Sequence, residues 1–112
     1  MKRAAFVTGG ASGIGLSICQ HLARAGHAVA VADYNGDAAE DAAKAIRDSG
    51  GRAIAATVDV SDRSQVDKAV EAARGEFGPI GILVTSAAVS RKEQFEQVSA
   101  DLGRRYGAKV PA

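Results

Sequence analysis

Tryptophan is absent from these 112 residues, and three phenylalanines with two tyrosines bring aromatics to only 4%. A core with so little aromatic bulk must be assembled from alanine, valine, isoleucine and leucine, packed close. Cysteine occurs once, at Cys19, which excludes a disulfide framework within the chain and fits a reducing cytoplasm. Formal charge is +1, so no excess of either sign calls for nucleic acid or an anionic membrane as partner. No apolar run approaches the ~20 residues of a membrane span, and the first residues lack the apolar segment of a secretory signal. Low-complexity linkers and short-period repeats are missing too. What remains is ordinary globular composition, 46% apolar and 24% charged, which argues against disorder. The length suits one domain or a piece of one, able to bury roughly 60–70% of its unfolded surface.

Short apolar runs alternate with longer amphipathic stretches. The runs are Ala4 to Val7 ending at Thr8, Ala28 to Ala32 ending at Asp33, Ala53 to Val58 ending at Asp59, and Ile80 to Val84. Near-continuous apolar runs of this length read as strands buried on both faces of a parallel sheet. Between them, Ile14, Ile18 and Leu22 recur at helical spacing before a stop at Gly26. Asp37 with Glu40 resembles a capping pair, followed by Ala39, Ala42, Ala43 and Ile46 on one face and a stop at Gly50-Gly51. Asp62 with Gln65 opens a third helix with an inner stripe of Val66, Val70, Ala73 and Phe77, closed by Gly78-Pro79. The expected fold is α/β: a βαβαβαβ series forming part of a Rossmann-like, doubly wound parallel sheet, four strands in the order 3-2-1-4.

Chemistry concentrates where the first strand meets the first helix, at Thr8-Gly9-Gly10-Ala11-Ser12-Gly13-Ile14-Gly15. Glycines there let the chain turn tightly and let a pyrophosphate approach the backbone, and the helix start offers free N–H groups at a positive dipole end. The spacing is Gly-x-x-x-Gly-x-Gly, not the common dinucleotide pattern, and the Gly-Lys-Ser/Thr of a triphosphate-binding loop is absent. Asp33 lies eighteen residues after Gly15. A carboxylate there can accept both hydroxyls of an adenosine ribose and would repel a 2′-phosphate, favouring NAD over NADP. The two usual places for a basic residue that would welcome that phosphate hold Ser12 and Tyr34. Asp59 can accept from an adenine amino group, with the Val60 backbone N–H alongside. Each aspartate has a plainer reading as the cap of its own turn. Cys19 reads as a packing residue, and His21 and His27 have no partners at metal-ligand spacing.

With these residues in order, the first ninety or so positions resemble the short-chain dehydrogenase/reductase family. The matching features are the TGGASGIG turn, Asp33, Asp59-Val60 and the fourth-strand segment ILVTSAAV, Ile82 to Val89. The resemblance implies an NAD(P)-dependent oxidoreductase acting on a small molecule bearing an alcohol or ketone, working as a homo-oligomer when full length. It implies that Gly9, Ser12, Gly13, Ile14 and Gly15 line the diphosphate, that Asp33 holds the adenosine ribose, that Asp59 and Val60 hold the adenine, and that Ala87 borders a cofactor ribose. One departure is visible: relatives usually read Asn-Asn-Ala-Gly after the fourth strand, whereas this chain reads Thr85-Ser86-Ala87-Ala88, exchanging amides for hydroxyls.

The family's reaction needs a serine, and a tyrosine four residues before a lysine that lowers its pKa. Here Tyr34 is followed four residues on by Ala38, and Tyr106 by Val110, so no catalytic residue carries over. Residues 1–90 are expected to form the NAD-binding portion. Residues 91–112 are expected to be a divergent or frameshifted tail: codons for the stretch from Asp101 to Gly107, read one nucleotide later, can spell the Thr-Trp-Asp-Ala-Val-Met of relatives. The leading reading is therefore a truncated NAD-dependent dehydrogenase/reductase holding the dinucleotide-binding half. The alternatives are a stand-alone NAD-binding or regulatory module, and a fragment without function. A methyltransferase, which also places an acidic residue after its second strand, is a weaker rival.

Overall fold

A computed structural model describes residues 3–85. Seven elements follow one another: β1 (Ala4–Thr8), α1 (Gly13–Arg24), β2 (Ala28–Asp33), α2 (Gly36–Asp48), β3 (Ala53–Thr57), α3 (Arg63–Phe77) and β4 (Ile80–Thr85). All strand pairs are parallel, in the order β3-β2-β1-β4. The crossovers through α1 and α2 carry β2 and β3 outward on one side of β1, and the crossover through α3 returns the chain to the other side for β4, which with right-handed connections places α3 on the opposite face of the sheet. The expected α/β architecture and strand order are both observed.

The pleat divides the core into two layers. Phe6, Ala30, Ala32 and Leu83 face α3, where Val66, Val70 and Ala73 cover them. Val7, Val29, Val31 and Val84 face the other way, toward Cys19 of α1 and Ala39, Ala43 and Ile46 of α2. Alternating residues thus serve opposite layers, as a two-sided sheet requires. Every residue of β1 is buried, so the strand leading into the glycine turn is held from both sides.

Two local expectations are corrected. The helix α2 is capped by Asn35, whose side chain accepts from the Ala38 N–H at 3.1 Å, not by the Asp37–Glu40 pair. Asparagine is a stronger cap than a residue already inside the first turn, and a cap of this kind contributes about 1 kcal/mol. Glu40 instead meets Arg47 at 2.6 Å across the exposed helix surface. The four-residue series on α1 is also incomplete: Ile18 and Leu22 pack against the sheet, but Ile14 is 77% exposed. Its place in the core layer is taken by Leu16 and Cys19. The cap expected at Asp62 is observed, its carboxylate accepting from the Ser64 and Gln65 N–H groups. No described helix is long and apolar enough to cross a membrane.

Register sets the functional edge. Thr8 pairs with Ala32 on one side and Thr85 on the other, and Asp33 pairs with Thr57. The carboxyl ends of all four strands therefore finish along one line. In an open parallel sheet, ligands bind along that line, where the strand order changes direction. Here the change falls between β1 and β4.

Candidate dinucleotide site

The turn from β1 into α1 is anchored beneath and open above. Below, the Thr8 hydroxyl donates to the Val84 carbonyl at 3.4 Å, and the Gly10 N–H donates to the Ala32 carbonyl at 3.1 Å. A Cβ on Gly10 would lie 3.0 Å from the Cys19 Sγ and 3.1 Å from a Val31 methyl, so a side chain there would push Cys19 and Val31 aside, and glycine lets the turn lie close on the sheet. Sequence reasoning did not single out Gly10. Its signal was the Gly9-Gly10 pair, of which the spacing pattern uses only the first member.

Above, the front of α1 is unobstructed. Gly13 opens the helix at φ 58°, a left-handed conformation, and a Cβ there would meet nothing within 4 Å. Ser12 caps α1 with extended backbone, yet its side chain makes no capping bond. No acidic residue occupies the first turn. The positive end of the helix is therefore compensated neither by a carboxylate of its own nor by a side-chain cap, which is the condition for receiving an anion. Gly15, two residues into the helix, is buried. Ile14 in this turn and Tyr34 after β2 are the exposed large hydrophobics among the described residues, at 77% and 78% exposure.

Asp33, at the end of β2, stands half-buried beside this turn. Its Oδ2 accepts from the Ala11 N–H at 3.1 Å and its Oδ1 from the Asn35 N–H at 3.0 Å. The plain reading of Asp33 as the cap of its own turn is thus part of what it does, and the contact to the glycine turn is the other part. Its carbonyl accepts from the Val58 N–H at 2.9 Å.

Asp59 follows β3. Its Oδ1 accepts from both the N–H and the hydroxyl of Ser61, at 3.0 and 2.6 Å. Its backbone N–H donates to the Gln65 Oε1 at 3.0 Å, while the Gln65 amide donates to Asp62 at 3.1 Å. Gln65 thereby fastens the Asp59-Val60 segment to the start of α3, a role that its reading as a helix-opening residue did not reveal. Bonds from Ser61, the hydroxyl foremost, hold the Asp59 carboxyl below the usual carboxylate range, and Ser64 and Gln65 do the same for Asp62. Depressed folded-state values mean that both groups add stability at neutral pH that is lost as pH falls through those values.

Cys19 is buried, and desolvation pushes its thiol up to about 12, so it is a packing group and not a nucleophile. His21 bonds to the Ser17 carbonyl of its own helix. No group of three or more His, Cys, Asp or Glu able to hold a metal occurs among the described residues. The structure therefore brings Gly9, Ser12, Gly13, Ile14, Gly15 and Asp33 to one edge, with Asp59 and Val60 on the neighbouring strand end. Ala87 and the whole 91–112 stretch lie outside the described residues.

Comparison with known proteins agrees with this geometry. A family model described as short chain dehydrogenase matches residues 3–106. The cis-4-hydroxycyclohexanecarboxylate dehydrogenase of Sinomonas cyclohexanicum is 40% identical over 89 residues, covering 80% of this chain and 35% of that protein. The 7alpha-hydroxysteroid dehydrogenase of Escherichia coli K12 is 32% identical over 108 residues, covering 96% of this chain and 42% of that one. Among solved structures, a 3-ketoacyl-ACP reductase from Sinorhizobium meliloti 1021 superposes with a TM-score of 0.84 at 27% identity, over 92% of this chain and 48% of that one. A 7 alpha-hydroxysteroid dehydrogenase complexed with NADH superposes at 0.71 with 34% identity, over 73% of this chain and 32% of that one. An L-sorbose reductase from Gluconobacter frateurii complexed with NADPH superposes at 0.80 with 29% identity, over 92% and 45%. The chain thus spans less than half the length of these relatives. Because one family model runs across nearly the whole sequence, and the fold superposes on those of the solved structures above, the chain belongs to the short chain dehydrogenase family.

Proposed function

We propose that this chain is the cofactor-holding part of an NAD-dependent oxidoreductase that interconverts an alcohol and a ketone on a small molecule. The observation that carries the reading is the open, glycine-lined front of α1 beside a carboxylate at the end of β2. The space above Gly13 and the uncommitted Ser12 side chain suit a diphosphate. The remaining lone pairs of Asp33 suit two ribose hydroxyls, and its charge disfavours a 2′-phosphate. Asp59 and Val60 suit the adenine edge, and Ala87 a cofactor ribose. Bound along this edge, the dinucleotide would supply the hydride acceptor or donor.

The residues of this chain orient that group and exclude a phosphorylated ribose; they do not move the substrate's proton. Nowhere in residues 1–112 does a lysine follow a tyrosine by four positions. The chain alone is therefore proposed to bind cofactor without turnover, the substrate pocket and the homo-oligomer contacts belonging to a full-length cytoplasmic parent. The 1–90 portion carries the binding, and 91–112 is the divergent segment.

Titration of the chain with NADH and with NADPH, followed by cofactor fluorescence, tests the preference. NADH is expected to bind at least about tenfold tighter, the ~1.4 kcal/mol that one unfavourable charge contact readily supplies. Equal or tighter NADPH binding would contradict it.

A further inference from the structure

Gln65 joins the end of β3 to the start of α3. Its Oε1 accepts from the Asp59 N–H at 3.0 Å, and its Nε2 donates to the Asp62 Oδ2 at 3.1 Å. A backbone N–H can only donate and a carboxylate can only accept, so the two partners together fix which end of the amide faces which. The next residue, Val66, is fully buried in the layer that holds Phe6 and Leu83, so the turn of α3 that carries Gln65 is itself anchored in the core. We propose that Gln65 is a positioning residue for the base of the cofactor: through the Asp59 N–H it holds Asp59 and Val60 where they select adenine over a base of inverted polarity. This rests on the reading of Asp59 and Val60 as the adenine edge and deepens it, by naming what sets that edge and which base it refuses.

Two groups on this segment stay uncommitted among the described residues. Asp59 Oδ1 takes both bonds from Ser61, at 3.0 and 2.6 Å, and Oδ2 takes none. The Val60 N–H likewise has no partner, whereas the N–H groups of Asp59 and Ser61 on either side are both used. An acceptor and a donor are thus left on adjacent residues. Adenine presents the matching pair, an exocyclic N–H beside a ring nitrogen that accepts. Hypoxanthine presents the reverse, a carbonyl oxygen beside a ring N–H, so acceptor would meet acceptor and donor would meet donor. Refusing the wrong base requires both groups to be held in register, since a loose segment would turn to suit either. Bonds within the turn, from Ser61 to Oδ1 and from the Asp62 N–H to the Asp59 carbonyl at 2.9 Å, give the turn its shape. The Gln65 bond sets where that turn sits against α3. Without it the Asp59 N–H faces water, and the segment loses the tie nearest to both groups that read the base.

The experiment is Gln65→Leu in the 112-residue chain, a change that keeps most of the bulk and removes both side-chain bonds. NADH and deamino-NADH, which carries hypoxanthine in place of adenine, are titrated by cofactor fluorescence. The unsubstituted chain is expected to bind NADH about tenfold tighter, as one or two mismatched hydrogen bonds would dictate. In Q65L that preference is expected to fall to about threefold or less, chiefly through weaker NADH binding. A merely structural role for Gln65 would weaken both coenzymes equally. A ratio unchanged in folded Q65L therefore overturns the proposal and leaves the adenine reading standing. If the unsubstituted chain binds neither coenzyme, or does not distinguish them, the adenine reading falls and the role of Gln65 with it. Should Q65L fail to fold, amide hydrogen exchange in the unsubstituted chain decides. An Asp59 amide slowed about tenfold or more beyond the unfolded rate supports the tie to Gln65, and exchange at the unfolded rate overturns it.

Discussion

Replacing Gly13 by valine should lower NAD affinity by about 100-fold or more while leaving most of the fold intact. Two effects act at the same position. Gly13 sits at φ 58°, where a side chain costs about 1–2 kcal/mol, and more for a β-branched one. A Cβ at this position has no protein atom within 4 Å, so the new side chain extends into open space, the volume in which the diphosphate would lie. The helix N–H groups then lose close approach to the anion, and several charge-assisted bonds go together, each ~1.5–3 kcal/mol. Calorimetric titration with NAD measures the loss, and thermal unfolding followed by circular dichroism measures the strain. Gly13→Ala should fall between the two, because a methyl obstructs less. Unchanged affinity in G13V would mean that the front of α1 does not hold the cofactor.

Phe6→Ala is the largest expected blow to stability. Phe6 is fully buried and heads the fully buried side chains by volume. Its neighbours on that face include Ala30, Ala32, Ala73 and Val66, most of them too short to swing into the vacated space. The cavity is therefore retained, and a loss of about 3–5 kcal/mol follows. Total stability for a domain of this size is typically about 5–15 kcal/mol, so the variant should lose a large part of it. Urea unfolding should show a much lower midpoint with the slope unchanged. A shift below about 1 kcal/mol would mean that the Phe6 layer closes up around small residues, and that the two-layer description of the core is wrong.

These two positions differ in how visible they were before the structure. Phe6 lies in an apolar run, and runs of that kind reveal buried parallel strands because both faces are covered; the alternation of such runs with helical stretches then implies right-handed crossovers. Gly13 was visible because its spacing is a backbone requirement written into residue type. What escaped was whatever depends on contacts between segments. Asn35 caps α2 only because the chain leaves Asp33 extended, and nothing local ranks it above Asp37. Ile14 fits the helical period, yet α1 begins at Gly13, beyond the cover of the sheet, so its side chain stays out. Gln65 and Gly10 owe their roles to Asp59 and Cys19, which become neighbours only on folding. The Asp33 contact to Ala11 spans twenty-two residues and has no sequence signature at all.

The account depends on one location: an anionic dinucleotide lying across the carboxyl ends of β1 and β2, at the start of α1. Residue-resolved NMR of the isotope-labelled chain during NADH titration tests this most directly. The amides of Gly9 to Gly15, of Asp33 and Tyr34, and of Asp59 and Val60 should shift together with one saturating curve, while those at the far ends of the helices, such as Arg24 and Ser49, stay still. Saturable shifts centred on the far ends, or none in the glycine turn of a folded chain, would contradict it.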